Sequence, residues 1–426
     1  MDIVKEVFLH YLWRFQKFDR KGLRTTAGTH LQVIHPGILN AGAGPDFLNA
    51  QIHLAGLLWS GSVEIHLQDS DWYRHQHQND DRYDNVILHV VWEADASVLL
   101  PSSEPLPTLL LSEFVSPQQL THYQKTFLQP SHFIACEESM QRFSEADWSL
   151  WKERLFIERM ESRIFAIESL RKDLNNDWEV VLFVLLAKAF GLNQNGVAFQ
   201  KMALQTDFKI IRKIRSVSDG LEALLMGQAG LLNTVTQDPY ALQLKKQYDY
   251  FKQKFNFQTP LGVHCTFARL RPPNFPTLRL AQLAQLFVKH ESLLEAFMEC
   301  KTPDYAFQLF EIQLPSYWEK HYNFGAESAR VQKKISRNFF ELVAVNALLP
   351  IRFAYAHQQH KKEAEKIFEW AQLLAAEQNE TIKKFKALGV TIDHAGASQA
   401  LLHLKKNYCD SKRCLSCNVG FQLMKN

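Results

Sequence analysis

The hydrophobic pattern of this 426-residue chain changes period once, and that change bounds the fold more tightly than any other feature. Before about residue 130, apolar residues alternate or run in short β-rich stretches. From about 140 onward they recur at helical spacing almost throughout. Residues 30–35, His-Leu-Gln-Val-Ile-His, alternate until Pro36-Gly37 breaks them. Val86-Ile87-Leu88-His89-Val90-Val91-Trp92 is nearly all apolar, as a central strand covered on both faces should be. Helices are predicted over 145–172, 177–190, 238–256, 277–298, 326–347, 361–386 and 395–407, with glycines and prolines between them. No fixed repeat runs through them, which argues against a regular solenoid. The chain is also too long for one small core. The expected architecture is an α/β domain with a small mixed sheet over residues 1–130. A large all-α domain over residues 131–426 follows it.

Composition narrows the class. With 46% hydrophobic and 22% charged residues, the chain matches a soluble globular protein. The front segment lacks a signal peptide's basic and apolar regions, and no uninterrupted apolar run reaches the ~18 residues of a membrane span. The expectation is a cytoplasmic protein whose six cysteines are thiols or metal ligands rather than disulfides. Residues 1–100 hold 8 Lys/Arg against 12 Asp/Glu, so the rest of the chain is mildly basic. An acidic front and a basic body would suit a metal site joined to a polyanion-binding surface. Residues 1–100 also carry 8 of the 17 histidines, about twice their share.

Within this front segment two carboxylates fall in a suggestive frame. A helix over 2–18 and the strand at 30–35 come first, and then a loop of small residues leads into Gly44-Pro45-Asp46-Phe47. Residues 49–54 and 57–67 read as strands joined by a turn at Ala55-Gly56, with Gly61 tolerated as a bulge. Residue 55 is the midpoint between Asp46 and Glu64, so that hairpin brings the two carboxylates opposite each other. In Val63-Glu64-Ile65-His66, Glu64 and His66 share one face because strand side chains repeat every two residues. Downstream lie His75 and His77. On a helix they project ~200° apart and cannot share an ion, whereas on a loop they can. His89 reads as a core histidine, and Glu6 as a surface charge.

Pro45-Asp46 and Glu64-Ile65-His66, with their flanking elements, resemble the restriction-endonuclease-like superfamily and its Pro-Asp … (Asp/Glu)-x-Lys signature. The resemblance implies a metal-dependent nuclease or a similar phosphodiesterase acting on nucleic acid, with Asp46 and Glu64 holding Mg²⁺ or Mn²⁺. It also assigns His66 to the position of the superfamily's lysine. Histidine there can act as a general base or bind a softer ion such as Mn²⁺ or Zn²⁺, but it supplies no permanent cation. Two other readings stay open: an inactive nucleic-acid- or protein-binding module on a nuclease-like core, and another metal-dependent hydrolase using His75 and His77 with Asp46 or Glu64. The wider pattern, through Ser70-Asp71-Trp72 and His75-Gln76-His77 to a cysteine-rich end, is similar to an uncharacterised bacterial domain-of-unknown-function family.

Cys409, Cys414 and Cys417 form C-x4-C-x2-C, a spacing suited to Zn²⁺ or an iron–sulfur cluster. Cys136 is the first choice for the fourth ligand, ahead of His264 and Cys265. One distant cysteine plus a C-terminal triplet partly resembles the iron–sulfur staple of certain RecB-type nucleases. In the helical part, Arg269, Arg271 and Arg279 flank Pro272-Pro273 and are the expected nucleic-acid contacts.

Overall fold

The computed structural model describes residues 4–40, 43–100, 104–127, 133–233, 237–360 and 364–424. The front part contains α1 (Glu6–Arg14), β1 (Leu31–His35), β2 (Ile38–Leu39), β3 (Phe47–Leu54), β4 (Leu57–Gln68), α2 (Asp71–Arg74), β5 (Val86–Glu93), β6 (Thr108–Leu110) and α3 (Pro117–Phe127). The sheet runs β1-β3-β4-β5-β6, with β2 paired to β3. β3 runs antiparallel to both β1 and β4, whereas β4, β5 and β6 are parallel. This mixed sheet followed by a large helical region is the architecture expected from the change of period.

The β3–β4 hairpin turns at Ala55-Gly56, both at positive φ. A two-residue turn pairs Leu54 with Leu57, and continuing that register would set Asp46 opposite Ile65, facing the core. The ladder instead slips by one residue. Ala50 pairs with Gly61, but Phe47 pairs with Val63, so Leu48 and Asn49 together oppose Ser62. Asn49 takes the left-handed conformation, φ 57°, that such a bulge needs. The slip moves Asp46 to the face of Glu64, because one residue of register exchanges the two faces of a strand. The bulge thus lies at 48–49 and not at Gly61. Gly61 is glycine for a different reason: a Cβ there would sit 2.5 Å from both the Asn85 carbonyl oxygen and Ile87 Cγ2.

One face of the sheet packs Val63, Ile65, Leu88 and Val90 against Phe8, Leu12 and Trp13 of α1. The other is roofed around Glu64, His66 and His89 by Trp72, Tyr83, Val86, Val98 and Leu106. Leu415 belongs to the first of these cores, with Cys414, Phe421 and Met424 packed against it. The chain accordingly divides into a first unit, Met1–Asp147 with Leu404–Asn426, and a second, Trp148–His403. The cysteine-bearing end therefore packs with the sheet, although its sequence pattern is that of the helical part.

The second unit begins within α4 (Glu145–Asp173) and continues through α5 (Trp178–Phe190), α6 (Leu192–Leu204), α7 (Phe208–Ile214), α8 (Gly220–Gln228), α9 (Pro239–Phe255) and α10 (Pro276–Lys289). Three expected helices are shorter than their periodicity, that over 361–386 because it divides into Ala364–Leu373 and Glu380–Ala387. The run 277–298 breaks at Ser292, where the Glu179 carboxylate accepts hydrogen bonds from Leu293 N and Leu294 N and starts a new helix. The run 326–347 becomes helical only at Arg337, behind the Ser336 cap, after a short β-ribbon of His321–Asn323 and Ala326–Glu327. Of the helix expected over 361–386, residues 361–363 lie outside the described residues. The helical run Arg337–Gln358 is long and apolar enough to cross a membrane, yet 67% of its most apolar window is buried within the protein.

Gly61→Ala should destabilise the fold by about 1–3 kcal/mol through overpacking against β5, measured as a lowered denaturation midpoint with unchanged far-UV circular dichroism at low temperature.

Candidate metal centre

Asp46 and Glu64 are locked together through the hairpin backbone. Asp46 N donates to Glu64 Oε2 (2.9 Å), and Ile65 N donates to Asp46 Oδ2 (3.0 Å). Glu64 is only 5% exposed and His66 only 2%, so neither lies on a solvated face.

The loop after β4 brings His75 and His77 to the same place. α2 lasts one turn, and Gln76 then takes a left-handed conformation (φ 62°, ψ 29°), which reverses the chain before a 3-10 turn at His77–Asn79. A continuous helix would have separated the two rings. With the reversal, His66, His75 and His77 present ligand atoms that all lie within 4.8 Å of one another. His75 Nδ1 is 3.2 Å from His66 Nε2. Glu64 Oε1 lies 3.3 Å from His77 Nε2 and 3.5 Å from His66 Nε2. Tyr83 stacks on the His77 ring, with centroids 3.9 Å apart, and Trp72 meets it edge-on.

Behind His66 runs a buried relay that the sequence did not disclose. His66 Nδ1 is 2.8 Å from His89 Nε2, and His89 Nδ1 is 3.2 Å from Asp69 Oδ1. His66 Nδ1 and His89 Nε2 share a hydrogen bond, which leaves His66 Nε2 facing His75 and Glu64. A partner on the far ring nitrogen orients a metal-binding histidine in this way. His89 is fully buried, as expected of a core histidine, and it also partners His66.

On the other side of Asp46, α1 contributes two residues one helical turn apart. His10 Nε2 lies 3.1 Å from Asp46 Oδ2 and 3.7 Å from Glu6 Oε1, and Glu6, His10 and Asp46 form a second compact group of ligand atoms. Their sequence signal was the i, i+4 spacing of Glu6 and His10.

The electrostatics follow from burial. Desolvation, reinforced by the charge of Asp46, pushes the Glu64 carboxyl up to about 9. Desolvation, reinforced by the neighbouring imidazoles, brings His66 down to about 2. Burial also lowers His77. For His10, burial works downward but is outweighed by the Asp46 and Glu6 carboxylates, and its pKa is raised. An imidazole as resistant to protonation as His66 makes a poor general base but a good metal ligand. His77 Nε2, buried and without a hydrogen-bond partner among the described residues, fits the same role. Three imidazoles beside a carboxylate suit Zn²⁺ or Mn²⁺ better than Mg²⁺, which prefers an all-oxygen shell.

The four expected cysteines all belong to the first unit, and burial raises three of them: Cys136 to about 12, Cys414 to about 11, and Cys409 as well. Neighbouring cysteines add to each of these shifts: Cys414 and Cys417 to that of Cys136, all three others to that of Cys409, and Cys417 to that of Cys414. The Phe133 ring, 5.1 Å from Lys405 Nζ, shows the two segments meeting. His264 and Cys265 belong to the second unit. Of the three arginines expected to contact nucleic acid, Arg269 and Arg271 are exposed, but Arg279 is 5% exposed and engaged within the fold through both terminal nitrogens. Its Nη1 donates to Gln282 Oε1 (2.7 Å), its Nη2 to Asn274 Oδ1 (2.6 Å), and its guanidinium covers the Phe339 ring. Arg279 braces the start of α10 and is not available to a polyanion.

A family model described as a protein of unknown function (DUF2851) matches residues 6–380. The chain belongs to this family. It spans the sheet, both ligand groups and most of the helical unit, although Cys409, Cys414 and Cys417 fall beyond the matched residues. No curated protein and no solved structure matches the chain.

The metal-free protein should show a pH dependence that Glu64 and His66 set in opposite directions. Glu64, raised from 4.5 to about 9, makes folding lose stability as pH rises between those values, because the unfolded state gives up its proton first. His66, lowered from 6.5 to about 2, makes folding lose stability as pH falls below 6.5. Melting temperatures in chelator should therefore decline from pH 6.5 toward 9, and Glu64→Gln should flatten that alkaline decline.

Proposed function

We propose that the first unit is a metal-dependent hydrolase that cleaves phosphodiester bonds of nucleic acid. The observation carrying this reading is the convergence of His66, His75 and His77 beside Glu64, with the His77 nitrogen left unpaired. A divalent ion held there would supply activation of water and polarisation of a phosphoryl oxygen at neutral pH. His89, hydrogen-bonded to His66 Nδ1, would keep His66 Nε2 turned toward that position. Asp46 is more exposed than Glu64 and is fixed by Ile65 N, so it is the carboxylate suited to take a proton from the attacking water. The resemblance of the Asp46–Glu64 hairpin to nuclease sites supports a phosphodiester substrate. The exposed Arg269 and Arg271 are consistent with a polyanion as partner.

Purified protein incubated with single- and double-stranded DNA and RNA, in Mn²⁺, Zn²⁺ or Mg²⁺, tests the assignment. Cleavage is expected with Mn²⁺ or Zn²⁺. Asp46→Ala should abolish it, and His89→Ala should reduce activity or metal affinity by roughly 10–100-fold. Failure of every substrate with every ion, or full activity in Asp46→Ala, would refute the reading. Retention of nucleic acid without cleavage would favour the inactive binding module instead.

We also propose that Cys136, Cys409, Cys414 and Cys417 hold a structural Zn²⁺ or an iron–sulfur cluster that fastens the returning segment to the sheet. Elemental analysis of the purified protein should find zinc or iron that Cys414→Ser loses together with thermal stability. A parent protein free of both elements would exclude the site.

A further inference from the structure

The donor atoms around Asp46 and Glu64 fall into two sets, and one ion accounts for only one of them. The first set is supplied by β4 and the loop that follows it: His66, His75 and His77. The second comes from α1 and the mouth of β3: Glu6, His10 and Asp46, with His10 Nε2 placed 3.1 Å from one carboxylate and 3.7 Å from the other. In each set every ligand atom is within 4.8 Å of the others. Glu64 lies between them, its Oε1 toward His66 and His77 and its Oε2 on the backbone of Asp46. We infer that this is a two-ion centre, with one divalent cation at His66, His75 and His77, a second at Glu6, His10 and Asp46, and Glu64 as the carboxylate between them. The inference rests on the hydrolase reading of the first set and adds a second ion of its own.

The chemistry of each set argues for this division. Three neutral imidazoles bring no charge, so an ion among them keeps its positive charge unless Glu64 offsets it. Two carboxylates and one imidazole bring two negative charges, which a divalent ion balances. The second set sits on rigid elements: Asp46 is held by Ile65 N, and Glu6 and His10 share one face of α1 four residues apart. All three residues of the second set are half-buried, whereas the first set runs from the buried His66 to the exposed His75. Two ions flanking a bridging carboxylate are also the arrangement that phosphodiester cleavage uses to steady the attacking and the leaving oxygen.

Mn²⁺ titration distinguishes the possibilities. Metal tightly bound at the cysteines is counted first, and the chelator-treated full chain is then titrated and followed by equilibrium dialysis and electron paramagnetic resonance. Two further equivalents are expected, with the broadened signal of interacting Mn²⁺ ions. His10→Ala should bind one equivalent and give the signal of an isolated ion, and so should His77→Ala through loss of the other position. Glu6→Gln, a change at a partly exposed side chain, serves as the second-site variant should His10→Ala fail to fold. One equivalent in the parent, lost in His77→Ala and kept in His10→Ala, would overturn the two-ion inference while leaving the hydrolase reading intact. No binding at all would overturn both. Two equivalents untouched by His10→Ala and Glu6→Gln would place the second ion elsewhere and overturn the inference as well.

Discussion

The bulge at Leu48-Asn49 carries Asp46 across the plane of the sheet, from a position that would point into the core to one beside Glu64. Everything around the site depends on that displacement. Once Asp46 faces Glu64, the backbone N–H of each strand reaches the carboxylate of the other, and two otherwise repelling groups become a fixed pair. Only then do the α1 histidine on one side and the loop histidines on the other have common partners. Asn49 tolerates the required left-handed backbone better than a branched residue could.

A second constraint is the roof over this face. Trp72 and Tyr83 pack over His77, and Trp72 also over His89; burial at this face lowers the pKa of His66 and His77. It also makes an unneutralised Glu64 unfavourable.

Much of this was legible in the sequence, and the parts that were not share a physical cause. Strand alternation gave β3, β4 and the turn at Ala55-Gly56, because local pattern determines those elements. The bulge was placed at Gly61 because glycine is the usual mark of one, whereas Asn49 bears the strain and Gly61 answers a contact with Asn85 and Ile87 from another strand. Whether His75 and His77 could meet turned on the backbone of Gln76, a residue with no special turn propensity. His10, Asp69 and His89 come together with the hairpin by tertiary packing, and the i, i+4 spacing of Glu6 and His10 pairs those two without saying that Asp46 joins them. The one advance sign was the excess of histidine in the first hundred residues, five of which (His10, His66, His75, His77 and His89) lie at the centre. Arg279 was misjudged for a related reason: a cation beside prolines looks exposed until a phenylalanine from a distant helix covers it.

The return of residues 404–424 to the sheet has a consequence for how the molecule is made. Leu415 and its neighbours complete a core that α1 and β4 begin, so the first unit encoded is the last whose parts are all present. Domains commonly fold in order as a chain leaves the ribosome, but here the helical unit emerges entire while the sheet still lacks its closing segment. The histidine centre would accordingly mature late, after the bulk of the polypeptide has already reached its own compact form.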